Sequence, residues 1–139
     1  MTKVAILQCS HYDQQQIRSA LDRGITPLGG WNRYIKPGQK VLLKVNLIGP
    51  CPPSQAATTH PEVVRALIRI CREHGCEVWV GDSAGGAIAG MAPTAKGMKV
   101  AGFEAVAQEE GAKIINFDKA GAVEIASKTG RFVNSFFIA

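Results

Sequence analysis

A chain of 139 residues suits one domain, and 46% hydrophobic with 19% charged residues is the composition of a globular protein with an ordinary core, not of a disordered one. Its 16 Lys and Arg against 11 Asp and Glu leave a formal charge of +5, but the basic residues are scattered, without the continuous basic face that nucleic-acid binding needs. The opening MTKVAILQCS turns polar at Gln8, too soon for a signal sequence or a membrane span, so a cytoplasmic location is expected, with no membrane and no nucleic acid among the partners.

Lys3 to Gln8 reads as a first strand. Ile17, Ala20, Leu21, Gly24, Ile25 and Leu28 then recur at helical spacing until Gly29-Gly30 stops the helix. A turn at Lys36-Pro37-Gly38-Gln39 feeds a second strand, Val41 to Leu47, in which Val41, Leu42 and Leu43 suit burial on both faces while Lys44 and Asn46 share one face near the carboxyl end. The following loop ends in Thr58-Thr59-His60-Pro61-Glu62, where Thr59 can cap a helix, Pro61 suits its first turn and Glu62 completes a capping box. That helix carries Val64, Leu67, Ile68 and Cys71 on one face and ends at Gly75. Glu77 to Gly81 is a third strand, Phe103 to Glu110 a helix closed by Gly111, and Lys113 to Phe117 a fourth strand.

Strands alternating with helices of this length predict an α/β class, a Rossmann-like three-layer domain over residues 1–139 with a mainly parallel sheet, helices on both faces and right-handed crossovers. Val123 to Ala126 and Phe132 to Ile138, separated by Ser127-Lys128-Thr129-Gly130, predict a C-terminal β-hairpin. The apolar ending Phe136-Phe137-Ile138-Ala139 fits the N-terminal part of a longer protein, or an edge strand in want of a partner. It leads us to expect a homo-oligomer, most simply a two-fold dimer, against the alternative that these phenylalanines fold onto their own core.

If the first three strands are parallel, their carboxyl ends share one edge, which gathers Cys9-Ser10-His11, Lys44 with Asn46 and Cys51, and Gly81-Asp82-Ser83-Ala84-Gly85-Gly86. A Lys and an Asn at a buried strand end need a counter-charge or an anion, so Lys44, Asn46, His60, Asp82 and Ser83 are candidates for binding a small anionic ligand. Lys44 has three readings: an anion-binding cation, a general base, or a strand-end side chain that reaches solvent. The Gly81 to Gly86 loop can cradle a phosphate or carboxylate, or merely cap the next element; it is neither GxGxxG nor GxxxxGK[ST]. Cys9 and Cys51 can meet to ligate a metal or cluster with His11 or His60, or pack as small apolar residues. Cys71 and Cys76 read as packing residues, His74 as a partner of the helix dipole, and Trp31 and Trp79 as structural. No complete iron-sulfur motif is present.

Lys36-Pro37-Gly38, Val41-Leu42-Leu43-Lys44-Val45-Asn46-Leu47, Thr58-Thr59-His60-Pro61-Glu62-Val63-Val64, His74-Gly75, Val80-Gly81-Asp82-Ser83 and Glu110-Gly111-Ala112 together resemble the family called domain of unknown function 362. The resemblance implies a redox-associated role, because such proteins are often linked to ferredoxin-type iron-sulfur modules; here that module would lie outside the chain. Val45 stands where the family usually has Pro, and the later Lys/His and Lys-Asn motifs and the ferredoxin cysteines are absent from these residues. The resulting expectation is a domain that binds a small anion or cofactor at its strand ends. The competing class is a non-catalytic scaffold domain completed by another segment or subunit.

Overall fold

The computed structural model describes residues 2–84, 94–119, 121, 123–126 and 135–138. Helix α1 (Gln14–Ile25) starts where the Asp13 carboxylate accepts the Gln16 amide at 3.0 Å, and Ile17, Ala20 and Gly24 form its buried stripe. It tightens into a 3-10 turn over Thr26–Leu28 and stops at Gly29, whose φ of +114° lies in the left-handed region. A single helical turn, α2 (Trp31–Tyr34), is tied back to α1 by the Trp31 indole, which donates to the Asp22 carboxylate at 2.7 Å.

The main sheet has the order β1 (Lys40–Lys44), β2 (Glu77–Asp82), β3 (Lys113–Asn116), and every pairing in it is parallel. Helix α3 (Pro61–Glu73) carries the chain from β1 to β2 and packs on both, while α4 (Thr94–Val100) and α5 (Phe103–Glu109) lie between β2 and β3 in sequence. Helix α5 packs on β3 and α3, and α1 packs against α3. The core is where these elements meet: Val64, Ile68, Ile70, Val78, Val80, Met98, Phe103 and Val106 are all buried there. The α/β class with a parallel sheet is thus as the alternation predicts. Strands β4 (Val123–Ala126) and β5 (Ser135–Ile138) pair antiparallel as the C-terminal hairpin; its connection, 127–134, which includes Phe132, lies outside the described residues.

The first strand is a correction. Residues 2–10 form no strand, and among the described residues no backbone hydrogen bond joins them to one. The run is held by side chains instead: Leu7 packs so closely on α1 that a Cβ added at Gly24 would come within 2.3 Å of its Cδ1, and Ala5 is the next neighbour. Val4 and Ile6, by contrast, are 78% and 92% exposed.

The cap of α3 is a second correction. His60, not Thr59, is the N-cap: its Nδ1 accepts the Glu62 amide at 3.3 Å and Pro61 takes the first helical position. The Thr59 hydroxyl is engaged elsewhere, accepting the Asn46 amide at 2.9 Å. Nor does Glu62 close a capping box, because its carboxylate accepts from Gln14 at 2.7 Å and from Arg65 at 3.1 Å.

An ion network joins α3 to the end of α5. Arg65 donates to Glu109 at 2.6 Å and to Glu110 at 2.8 Å, and Arg69 to Glu110 at 2.6 Å. Hydrogen bonding from Arg69 holds the Glu110 carboxyl below its ordinary value, with desolvation opposing and Arg65 assisting. A carboxyl lowered in the folded state stabilises the fold above the unfolded value of about 4.3 and loses that contribution as pH falls through the lower folded value. Glu110→Gln is therefore expected to cost about 1 kcal/mol at neutral pH in denaturant unfolding, with the gap to wild type closing below about pH 4. A gap that stays constant down to pH 3 would contradict the pairing.

Candidate functional site

The register sets Lys44 beside Gly81, so the next residue of β2, Asp82, comes within reach of the Lys44 side chain at the carboxyl edge of the sheet. The Lys44 ammonium donates to Asp82 Oδ1 at 2.7 Å and to the Val45 carbonyl at 3.1 Å. Asp82 is only 3% exposed, and its carboxylate also accepts the Leu47 amide at 2.9 Å and the Ser83 amide at 2.9 Å. A buried carboxylate with two backbone donors and one ammonium is fully compensated, and it binds together the two loops that leave β1 and β2. The Lys44 side chain, by contrast, is 63% exposed.

Asn46 lies just past β1 and staples the crossover loop. Its amide donates to Thr59, its carbonyl accepts the Thr59 amide at 3.1 Å, and its side-chain nitrogen donates to the Ala57 carbonyl at 3.1 Å. His60 follows at once. Its ring stacks on Tyr12 with centroids 3.5 Å apart and planes 4° from parallel, and acceptance by Nδ1 leaves the ring proton on Nε2. The first amides of α3 are already committed, Glu62 to His60 Nδ1 and Val63 to the His60 carbonyl at 3.0 Å, while Pro61 has none to offer. Next to this staple the Thr58 hydroxyl is buried and, among the described residues, has no hydrogen-bond partner.

Asp82 to Leu47, Asn46 to Thr59 and Thr59 to His60 thus run as one connected path along the sheet edge, and Ser83 is exposed at its mouth. Gly85 and Gly86, proposed with Ser83 as a cradle, lie outside the described residues. Two residues not among the sequence candidates, Thr94 and Asp118, belong to the same edge. The buried Thr94 hydroxyl accepts the Ala84 amide at 2.8 Å and donates to the Asp118 carboxylate, fixing the loop after β2 to the start of α4 and the end of β3. Asp118 follows the fourth predicted strand, so the strand-end rule reaches it; Thr94 stands 12 residues beyond Asp82 with no periodic pattern between them.

Cys9 is exposed with its thiol donating to the His11 carbonyl at 3.3 Å, Cys51 is half-buried in the crossover loop, and Cys71 and Cys76 are buried. Burial pushes the Cys71 thiol up to about 11, which suits packing and not reactivity. Among the described residues no three His, Cys, Asp or Glu side chains converge as a metal site would require. Two clefts flank α1: a polar one of about 660 Å³ lined by Gln8, Asp13, Gln16 and Arg23, and an apolar one of about 440 Å³; Lys44 and Asp82 line neither. No described helix is long and apolar enough to cross a membrane.

Residues 41–139 match the family described as domain of unknown function 362 (DUF362). A thylakoid-associated protein of Synechocystis sp. is 37% identical over 80 residues, which are 58% of this chain and 25% of that protein. The chain therefore spans a quarter of the length of this relative. No solved structure matches it.

Proposed function

Given that the chain belongs to the domain of unknown function 362 family, we propose that its sheet edge binds a small anionic molecule or cofactor, with Lys44 as the cation and Ser83 and Asn46 beside it. One observation carries the reading: an ammonium anchored on a buried carboxylate, yet open to solvent along most of its length. Such a group is a fixed cation and not a roaming surface lysine. Asp82 is a positioning residue in this reading, since its donors leave it no role toward a ligand. The pair is close to neutral, so affinity has to come from added hydrogen bonds, and the buried Thr58 hydroxyl is one group on the same loop without a partner among the described residues.

Calorimetric titration with inorganic phosphate, pyrophosphate and citrate tests this. We expect saturable binding that Lys44→Gln weakens about tenfold or more and Lys3→Gln leaves alone. Binding unaffected at Lys44 would discard the site.

The redox setting rests on the resemblance. The chain's own cysteines do not fit a cluster, because two are core residues and the others sit on different loops, so an iron-sulfur module is proposed as a separate partner in the cytoplasm. Purified anaerobically, the chain should carry no stoichiometric iron; about four irons per chain would overturn this and direct attention to Cys9 and Cys51. The thylakoid association belongs to the Synechocystis relative, and for this chain it is a setting to be tested by fractionation.

A second reading, a scaffold domain completed by another segment or by a second subunit in a homo-oligomer, is favoured by the exposed Val4 and Ile6 on a run that has no strand partner among the described residues.

A further inference from the structure

We propose that α1 carries a binding site for a single-chain amphiphile, its apolar tail in the cleft of about 440 Å³ and its neutral, hydroxyl-bearing head in the cleft of about 660 Å³. Lys44 and Asp82 line neither cleft, so this site is separate from the anion site.

The sequence of α1 prepares a wall for each cleft. Residues three and four apart share a helix face and successive residues turn by about 100°, so Ile17, Ala20 and Leu21 form one stripe and Gln16, Ser19 and Arg23 the stripe beside it. The first lines the apolar cleft and the second the polar one. The N-terminal run joins the two. It packs on α1 through Leu7 against Gly24, and at its far end the Tyr12 ring stacks 3.5 Å from that of His60, at the start of α3. Between these anchors Cys9 and Ser10 line both clefts, which makes the cavities neighbours across two residues. One molecule with a tail and a head can therefore occupy both.

The lining selects the chemistry of each half. Leu7, Tyr12 and Val63 of α3 complete the apolar cleft, so its walls come from three segments already held in place by their own packing. Both volumes lie within the range of about 300–1,000 Å³ usual for small-molecule sites. The aliphatic stripe of α1 suits a saturated chain. The polar cleft presents the carboxamides of Gln8, Gln15 and Gln16, which among the described residues have no hydrogen-bond partner. A carboxamide both donates and accepts, as a hydroxyl does. The charges in this cleft, Asp13 and Arg23, cancel, and both are engaged: Asp13 accepts the Gln16 amide at 3.0 Å and Arg23 donates to the Ser19 hydroxyl at 2.7 Å. A charged head would lose water without gaining a counter-charge, so a neutral head is selected.

The probe is n-octyl β-glucoside, kept below its micelle-forming concentration and titrated into the intact chain under NMR observation. Saturable shifts are expected at the methyl groups of Leu7, Ile17, Leu21 and Val63 together with the side-chain amides of Gln8, Gln15 and Gln16. Hexyl glucoside, two methylenes shorter, should bind about tenfold more weakly. Octanoate and octyltrimethylammonium, with the same tail and a charged head, should bind at least about threefold more weakly. Ala20→Leu fills the apolar cleft with another good helix former and should weaken octyl glucoside about tenfold or more, while Lys44→Gln should leave it unchanged. Should Ala20→Leu fail to fold by circular dichroism, Leu7→Ser, outside any helix or strand, takes its place. Undiminished binding in the folded variant would overturn the placement of the tail. Methyl shifts alone, with equal affinity for the three head groups, or tighter binding of octanoate, would overturn the neutral head. Unsaturable shifts confined to the exposed Val4 and Ile6 would mean adsorption, and they or the absence of any shift would overturn the site.

Discussion

Replacing Asp82 by alanine is expected to lower the stability of the folded chain by about 3 kcal/mol, among the largest single losses available outside the apolar core. The carboxylate is buried and accepts the Lys44 ammonium and the amides of Leu47 and Ser83. Alanine leaves both amides without their acceptor at the point where the loops after β1 and β2 are joined, and each buried donor so stranded costs about 1–3 kcal/mol. Lys44→Met should cost under about 1 kcal/mol, because an exposed partner of an ion pair contributes little. Urea unfolding of the two variants separates the carboxylate's hold on the backbone from its hold on the amine. Equal losses would mean that the ion pair, and not the backbone clamp, is what matters.

Gly81→Val should be comparably damaging, at about 3 kcal/mol, for a different reason. A Cβ at Gly81 would lie 2.4 Å from Ile115 Cγ2, 2.7 Å from Phe117 Cε1 and 2.9 Å from the Ile115 carbonyl oxygen. Side chains can turn aside, but that oxygen belongs to β3, whose Ile115 is the register partner of Gly81, so relief requires parting the two strands. Gly81→Ala meets the same oxygen and should lose about 2 kcal/mol. An unchanged melting temperature in either variant would show that β2 and β3 are less closely apposed than described.

Both positions show what a sequence can disclose. The Lys44-Val45-Asn46 anomaly and the strand-end rule suffice to bring Lys44 and Asp82 to one edge, because parallel strands joined by helices must end on the same side. Gly81, read both as the end of the third strand and as the first residue of the loop after it, lies in the strand, and its glycine is required by close strand approach, which only the packing of Ile115 and Phe117 reveals. The cap of α3 illustrates a competition between neighbours. Thr59 is the better capping residue by preference, yet Asn46, distant in sequence, claims its hydroxyl, and the imidazole of His60 takes over. Thr94 is illegible for a simpler reason, since a buried hydroxyl bridging two loops leaves no periodic trace. The run from Lys3 to Gln8 has the apolar pattern of a strand but no strand partner among the described residues, and pattern alone does not report neighbours.

The most direct test of the anion site is amide chemical-shift mapping by NMR during titration of the intact chain with pyrophosphate. Saturable shifts at Lys44 to Leu47 and Ser83 to Ala84, lost in Lys44→Gln and absent from residues 3–8, are the predicted result. Shifts spread over exposed lysines such as Lys36, Lys40 and Lys113, unchanged by the substitution at Lys44, would contradict it.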